Sequence, residues 1–506
     1  MNNRLAILGL LITLCLGCWA PLACAQAPTW EALQHEPTAN AEALPSPANP
    51  NFVFILVDDL GWADPSSYGS RFYDTPHIDR LSQEGMTFTN AYAAASVCSP
   101  TRAAILTGKY PARLRITDWI PGQGNRPTRK FLQVKDRSQL PLKEVTIAER
   151  LQEAGYTTAH MGKWHLGGAP DHLPTDQGFD VNVGGYEAGS PGRFGGYFAP
   201  WKNPYLEAAP KGTYLTDRLG REAARFIRGH QDRPFFLYLS FYAVHTPLEG
   251  KEELVKTYEA RADTLALTER TLYGNEQGNR ARIVQSHPVY AAMMETMDRN
   301  VGRVLNALEE AGVGDSTIVI LTSDNGGLSV LAGNRQAPTA NRPLRAGKGW
   351  LYEGGLRVPL VVKWPGRVAP GSTSGEPVSS IDFFPTMLDM AGLDAPTGPA
   401  LDGTSLMPLF EPSGKLQREA LYWHYPHYHG SGSVPSGAIR QGDYKLIEYF
   451  EEGRVELYNL AKDLTETHDL SDQRPEKAEA LRERLESWRW SVGAQMPEPN
   501  PNYTDQ

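Results

Sequence analysis

Four apolar runs in this chain each break off at a polar or charged cluster, and that repetition constrains the fold more than any other feature of the sequence. Asn51-Phe52-Val53-Phe54-Ile55-Leu56-Val57 ends at Asp58-Asp59, and Tyr156-Thr157-Thr158-Ala159-His160 leads into Gly162-Lys163-Trp164-His165. Phe235 to Phe241 leads to His245, and Thr317 to Thr322 leads to Asp324-Asn325-Gly326. A near-continuous apolar run is what a strand needs when both faces of its sheet are covered, the usual situation in a parallel sheet. Between the runs, Ile147, Leu151 and Ala154 are spaced for one helix face with Gly155 as a stop. Met293, Met294, Met297, Val301, Val304, Leu305 and Leu308 mark a longer helix ending at Gly312. Strands alternating with helices predict an α/β fold: a large, mostly parallel, doubly wound sheet flanked by helices. Ligands collect at the carboxyl ends of the strands in such sheets, where the polar clusters fall.

From about residue 411 the pattern changes. Leu421-Tyr422-Trp423, Ala438-Ile439-Arg440, Tyr444-Lys445-Leu446-Ile447 and Glu456-Leu457-Tyr458 are short segments broken by Gly, Asp and Asn, and predict a smaller C-terminal antiparallel sheet. A terminal helix follows Pro475, with Ala478, Leu481, Leu485 and Trp488 on one side. The chain accordingly divides into a signal peptide (1–25), a loose leader (26–50), a catalytic domain (51–410), a small C-terminal α+β subdomain (411–495) and a tail (496–506).

Arg4, the apolar run Leu5 to Leu16 and Ala23-Cys24-Ala25 ahead of Gln26 form the three parts of a secretory signal. Export, to the periplasm or beyond the cell, is expected, with no stable membrane anchor, because the run is short for a membrane span and no later stretch is long and apolar enough. Gly17-Cys18 offers a poor lipid-attachment site as the minority alternative. The formal charge of −9 excludes a general nucleic-acid binder. Cys15, Cys18 and Cys24 leave with the signal peptide, so the mature chain keeps Cys98 alone. A single thiol in an oxidising compartment makes no internal disulfide; it is either buried and inert or present for chemistry.

Asp58, Asp59, Asp324 and Asn325 make an all-oxygen set suited to Ca²⁺ or Mg²⁺, although each pair is also an ordinary strand-to-loop turn. Pro100-Thr101-Arg102-Ala103-Ala104-Ile105-Leu106 predicts a short helix closed by Gly108, with Cys98 at its N-terminus, where exposed N–H groups favour an anion, and Arg102 one turn in. Lys163 and His165, two apart in an extended segment, point to one side. His245 precedes Thr246-Pro247, and Lys348 lies in Gly347-Lys348-Gly349. Loops at 110–140, 185–215, 246–288 and 330–346 should wall a pocket; their Arg113, Arg115, Arg193, Arg335, Arg342 and Arg345 are either anion contacts or solvated surface. His424, His427 and His429, interleaved with Tyr422, Trp423, Tyr425 and Tyr428, are either a sugar-stacking rim or a structural aromatic cluster.

Taken together, Cys98-x-Pro100-x-Arg102 followed by Leu106-Thr107-Gly108 resembles the signature of type I, formylglycine-dependent sulfatases of the alkaline phosphatase superfamily. The resemblance runs from about Asn51 to Leu470 and includes Asp58-Asp59, Gly162-Lys163-Trp164-His165-Leu166-Gly167, His245, Asp324-Asn325-Gly326 and Gly347-Lys348-Gly349. It implies that a formylglycine-generating enzyme oxidises Cys98 to an aldehyde that hydrates to a diol. A divalent ion, Ca²⁺ ahead of Mg²⁺, would be held by Asp58, Asp59, Cys98 in its modified form, Asp324 and Asn325. One diol oxygen would attack sulfur, with His245 and Lys348 assisting the departing alcohol, Lys163 neutralising the sulfate and Arg102 holding the nucleophile. His165 would take the proton from the second diol oxygen, expelling sulfate. The implied activity is hydrolysis of sulfate monoesters, on a sulfated glycan or an aryl sulfate. Rival readings are a phosphonate or phosphate monoester hydrolase of the same superfamily, a noncatalytic glycan-binding relative, and a hydrolase using the Cys98 thiol directly.

Overall fold

The structure, a computed structural model, describes residues 49–333, 335–395 and 401–504; the predicted signal peptide, nearly all of the predicted leader and the last two residues of the predicted tail lie outside these. The main sheet has eight strands: β1 (Asn51–Val57), β2 (Met86–Phe88), β3 (Thr157–Gly162), β4 (Val181–Val183), β5 (Phe235–Ser240), β6 (Thr317–Ser323), β7 (Leu360–Lys363) and β8 (Ser372–Ser374), in the order β8-β2-β7-β6-β1-β5-β3-β4. Seven run the same way, and β7 alone is reversed, pairing antiparallel with β6 and β2. The mostly parallel sheet expected from the apolar runs is therefore present. The four strands that those runs announced, β6, β1, β5 and β3, are consecutive neighbours at its centre.

Side chains of β1 show why both faces must be apolar. Phe52, Phe54 and Leu56 enter a core shared with helices α2 (Cys98–Thr107), α3 (Ile147–Glu153) and α6 (Phe383–Met390). Val53, Ile55 and Val57 enter a second core against α1 (Pro76–Glu84), α4 (Leu215–Gly229) and α5 (Pro288–Glu310). Period-two alternation thus feeds two cores from one strand, each fully buried side chain adding about 1.5–3 kcal/mol of transfer free energy. The predicted long helix corresponds to α5, whose Met293, Met297, Val301, Val304 and Leu308 are all buried. Among the described residues no helix is long and apolar enough to cross a membrane.

The C-terminal segments form the predicted antiparallel sheet, β9 (Leu421–Tyr425), β10 (Ser436–Gln441), β11 (Tyr444–Tyr449) and β12 (Arg454–Asn459), paired in chain order. Ile439, Leu446 and Leu457 pack with Ala478, Leu481 and Leu485 of the terminal helix α7 (Pro475–Val492). Trp423, Ala438 and Ile447 pack instead with Tyr352 and Leu356, which lie just beyond Lys348. Lys445 Nζ is fully buried between Glu353 Oε1 and Glu466 Oε1, 2.9 Å from each, and Glu353 also accepts from Arg357 at 2.7 Å. An apolar layer and an ion network together fasten this sheet to the segment that carries Lys348.

Candidate active site

The carboxyl ends of β6, β1, β5 and β3 open onto one point, and α2 starts there. The helix begins at Cys98 itself, two residues before Pro100, and ends where Gly108 takes a φ of +66° and donates to Ala104 O. That left-handed turn is cheap only for glycine. Arg102, one turn in, ties three strand ends together. Its Nε and Nη2 donate to Asp324 Oδ2 (2.9 and 2.7 Å), and its Nη1 donates to Lys163 O (2.8 Å) and Ser240 Oγ (2.6 Å). With its guanidinium committed this way and 1% exposed, Arg102 sets geometry and does not reach a substrate.

Asp58 and Asp59 follow β1, with Asp59 in the left-handed region at φ +63°. Asp58 Oδ2 accepts from Lys163 Nζ at 2.7 Å, and Asp59 Oδ1 accepts from Lys348 Nζ at 2.6 Å and Asn325 Nδ2 at 2.8 Å. Lys348 Nζ also stands 3.1 Å from Cys98 Sγ, which lies 3.7 Å from Asp58 Oδ1. Burial, reinforced by the neighbouring Asp324 carboxylate, holds Asp58 well above the usual carboxylate range despite Lys163. Asp59 is held low: burial opposes ionisation, but Lys348 and His245 outweigh it. Burial also opposes ionisation of the Cys98 thiol, yet Lys163 and Lys348 bring it down to about 6.

Ligand atoms of Asp58, Asp59, Cys98 and His245 all lie within 4.8 Å of one another. Asn325 Oδ1 is buried and without a hydrogen-bond partner, which is costly unless something else binds it. An orphaned amide oxygen beside two crowded carboxylates fits a hard divalent cation. The geometric cluster includes His245, which the sequence set for the metal did not. Of the predicted ligands, Asp324 has Oδ2 committed to Arg102, while Oδ1 accepts from the backbone N–H of Asp59 at 3.2 Å.

The two histidines are held in defined orientations. His245 Nδ1 donates to Thr246 O at 2.6 Å, which turns Nε2 toward Asp59 Oδ2 at 3.8 Å. Burial and Lys348 lower its basicity, but Asp58 and Asp59 raise it above its ordinary value. His165 Nε2 lies 2.6 Å from Ile120 O, an acceptor, so Nε2 carries the proton and buried Nδ1, with no partner, presents a lone pair. Burial, aided by Lys163, holds this ring well below its ordinary pKa, hence neutral. His165 has a φ of +61°, so the segment after β3 is not extended, and the alternation argument for Lys163 and His165 fails. What places His165 is its surroundings. Ser99 Oγ donates to His165 O at 3.0 Å and accepts from Ile120 N at 3.1 Å, and the ring lies against Gly189, where a Cβ would fall 2.3 Å from Nε2.

The ten residues predicted for catalysis and metal binding are therefore brought together, nine of them buried and His245 partly exposed. Ser99, Ile120, Gly189 and Ser240 were missed: two act through a hydroxyl, one through a carbonyl and one by lacking a side chain, and none leaves a mark in spacing. Among the wall arginines, Arg113 pairs with Asp402 and Arg345 with Glu276, so these two serve structure, whereas Arg115, Arg193, Arg335 and Arg342 are exposed. His424 bonds Gln495 O and His427 bonds Thr117 Oγ1, so neither faces a sugar; His429 sits apart from both.

Comparison with known proteins places this arrangement. Residues 50–393 match the family model "Sulfatase", and residues 346–490 match the model for the C-terminal region of N-sulphoglucosamine sulphohydrolase. A sulfatase of Formosa agariphila is 33% identical over 87% of this chain and 88% of its own length. The N-acetylgalactosamine-6-sulfatase of Canis lupus familiaris is 32% identical over 84% of this chain and 76% of its own. The solved structure of Ps i-CgsB in complex with k-i-k-neocarrahexaose superposes with a TM-score of 0.72 at 29% identity, covering 88% of this chain and 93% of that one.

Proposed function

This chain belongs to the sulfatase family and hydrolyses sulfate esters, and from that premise we propose a formylglycine mechanism at residue 98 and a sulfated carbohydrate as substrate. The observation that carries the reading is the environment of Cys98: a buried residue at a helix start, touched by Lys348 and close to two carboxylates, where a plain structural thiol would sit among apolar groups. Maturation by a formylglycine-generating enzyme supplies, after hydration, one oxygen for attack on sulfur and a second through which sulfate is expelled. A divalent cation held by Asp58, Asp59, residue 98, Asp324 and Asn325 would lower the cost of an anionic oxygen there. The oxygen-rich set favours Ca²⁺, with Mg²⁺ behind it, and leaves His245 free for proton work.

The remaining roles follow from the contacts. Lys348, 3.1 Å from the residue 98 side chain, and His245, made more basic by its carboxylate neighbours, flank the face where an alcohol departs and protonate or stabilise its oxygen. Lys163 neutralises the sulfate's charge while holding Asp58. Arg102 is a positioning residue that locks three strand ends around the nucleophile. His165, neutral and with Nδ1 unprotonated, takes the proton that must leave residue 98 before sulfate can go.

A carbohydrate substrate is supported by relatives named N-acetylgalactosamine-6-sulfatase and by the k-i-k-neocarrahexaose held by Ps i-CgsB. The secretory signal read at residues 1–25 supports an exported enzyme, periplasmic or secreted, acting on extracellular glycans. Mass spectrometry of the peptide containing residue 98, combined with rates on aryl sulfate and aryl phosphonate, tests the proposal. An aldehyde and a sulfate preference are expected. An alkylatable thiol in active enzyme sinks the mechanism, and a large phosphonate preference sinks the substrate class.

A further inference from the structure

His429 stands in the turn between β9 and β10, half-buried, and its contacts differ from those of the other histidines in the same stretch. The turn closes on itself, with His429 N donating to Ser433 O at 3.1 Å and Gly432 N donating to His429 O at 3.0 Å. Ser431 N donates to His429 Nδ1 at 3.2 Å, and Ser431 Oγ lies 2.9 Å from the same atom. An N–H can donate only to a lone pair, so Nδ1 is the bare nitrogen and Nε2 carries the hydrogen. Among the described residues Nε2 has no protein partner, and it is not among the buried unsatisfied atoms.

The ring's position is set by its seat. It packs against Gly349, where a Cβ would fall 2.2 Å from Nδ1 and 2.5 Å from Cγ, and where φ is +86°. Gly349 directly follows Lys348; its N–H donates to Ser96 O at 2.8 Å, and its carbonyl accepts from Ser433 Oγ at 2.5 Å. The turn from the small sheet is thus bolted to the residue beside the catalytic lysine and two residues before Cys98. Lys348, Asp59, Arg335 and His245 all act electrostatically on the ring, and burial together with Lys348 depresses its pKa to about 3. Arg335 is fixed beside the turn by donating to Gly430 O at 2.8 Å. The sulfate end of the site is already supplied with cations, so a neutral N–H donor on a ring seated beside Lys348 suits an uncharged oxygen.

We propose that His429 is a specificity-determining residue whose Nε2–H donates to a hydroxyl or ether oxygen of the sugar ring that bears the sulfate. This rests on the sulfatase reading above and adds the group that recognises the departing alcohol. The small sheet thereby contributes directly to substrate choice.

Matured wild type, His429→Ala and His429→Gln are compared on 4-nitrophenyl sulfate, which has no sugar oxygens, and on a panel of galactose, N-acetylgalactosamine and glucosamine sulfates. The ratio of kcat/KM for the best sugar sulfate to that for the aryl sulfate should fall about tenfold in His429→Ala, mainly through KM, as expected for one lost hydrogen bond. His429→Gln, which keeps a donor, should recover part of it. An unchanged ratio, from parallel loss on both substrates or from no loss at all, overturns the proposal. So does a wild type that cleaves the aryl sulfate and none of the sugars. A wild type bearing the aldehyde but cleaving neither class refutes the broader functional reading.

Discussion

Replacing Gly189 by alanine isolates the role of His165 without touching any group that contacts substrate. Gly189 is not among the residues with a left-handed φ, so its backbone accepts alanine, and only the histidine ring stands in the way. The new Cβ would lie 2.3 Å from Nε2, 2.4 Å from Cε1 and 2.9 Å from Cδ2. Carbon contacts settle at roughly 3.5 Å, so the ring must retreat by about 1 Å. A retreat of that size disturbs the bond from Nε2 to Ile120 O, now 2.6 Å, and shifts the ring from its fixed orientation. A displacement of about 1 Å in a positioned base costs on the order of 100-fold in rate, whereas the overpacking costs about 1–3 kcal/mol in stability. If His165 acts only in the half-reaction that expels sulfate, the first alcohol should still leave at the wild-type rate. Stopped-flow release of nitrophenol should then show a burst of one equivalent per active site, followed by turnover about 100-fold slower than wild type. Steady-state turnover within threefold of wild type, or a first turnover slowed as much as later ones, refutes the assignment of His165 as that base.

Three further outcomes are expected. Asn325→Ala removes the orphaned buried oxygen and should weaken Ca²⁺ binding by at least about tenfold, read by calorimetric titration of metal-stripped enzyme; unchanged affinity removes Asn325 from the ligand set. Lys445→Met leaves Glu353 and Glu466 buried without their shared cation and should cost about 3–5 kcal/mol, read from urea unfolding; a loss under 1 kcal/mol contradicts the network's role. Burial pushes His424 down to about 4 in spite of its bond to Gln495 O. Because its folded pKa lies below the unfolded value near 6.5, its contribution is complete above pH 6.5 and is lost as pH falls toward 4, roughly 2 kcal/mol by pH 5. His424→Gln should flatten the stability profile between pH 7 and 5 by that amount; an unchanged slope shows the ring is not kept neutral.

The centre of the fold was legible because physics writes it plainly. A strand covered on both faces must be apolar throughout, so β1, β3, β5 and β6 stand out, and the polar residues that end them mark the site. The outer strands could not be read. Met86–Phe88, Val181–Val183 and Ser372–Ser374 are three residues each, too short for a period to register, and the reversal of β7 follows from pairing partners that lie far away in sequence. Among site residues, charged side chains at strand ends were recovered, while Ser240 and the Ile120 carbonyl were not, since a hydroxyl or a carbonyl acquires meaning only from what the fold sets against it. The three rim histidines show the same limit. Their aromatic spacing is one pattern, yet His424 and His427 brace the interior and His429 alone adjoins Lys348.

The fastening of the small sheet bears on how such enzymes can be recombined. Glu353 and Tyr352 belong in sequence to the large part of the molecule but are held by Lys445 and the apolar face of the C-terminal strands. A hybrid joined near residue 411, where composition alone suggests a seam, would graft a new sheet onto a foreign partner for that buried lysine and onto a foreign seat for residue 429. Joining upstream of residue 346 keeps Lys348, its glycine and the strands that grip them as one inherited unit, so that any leaving-group preference seated there can travel between scaffolds with its mounting intact.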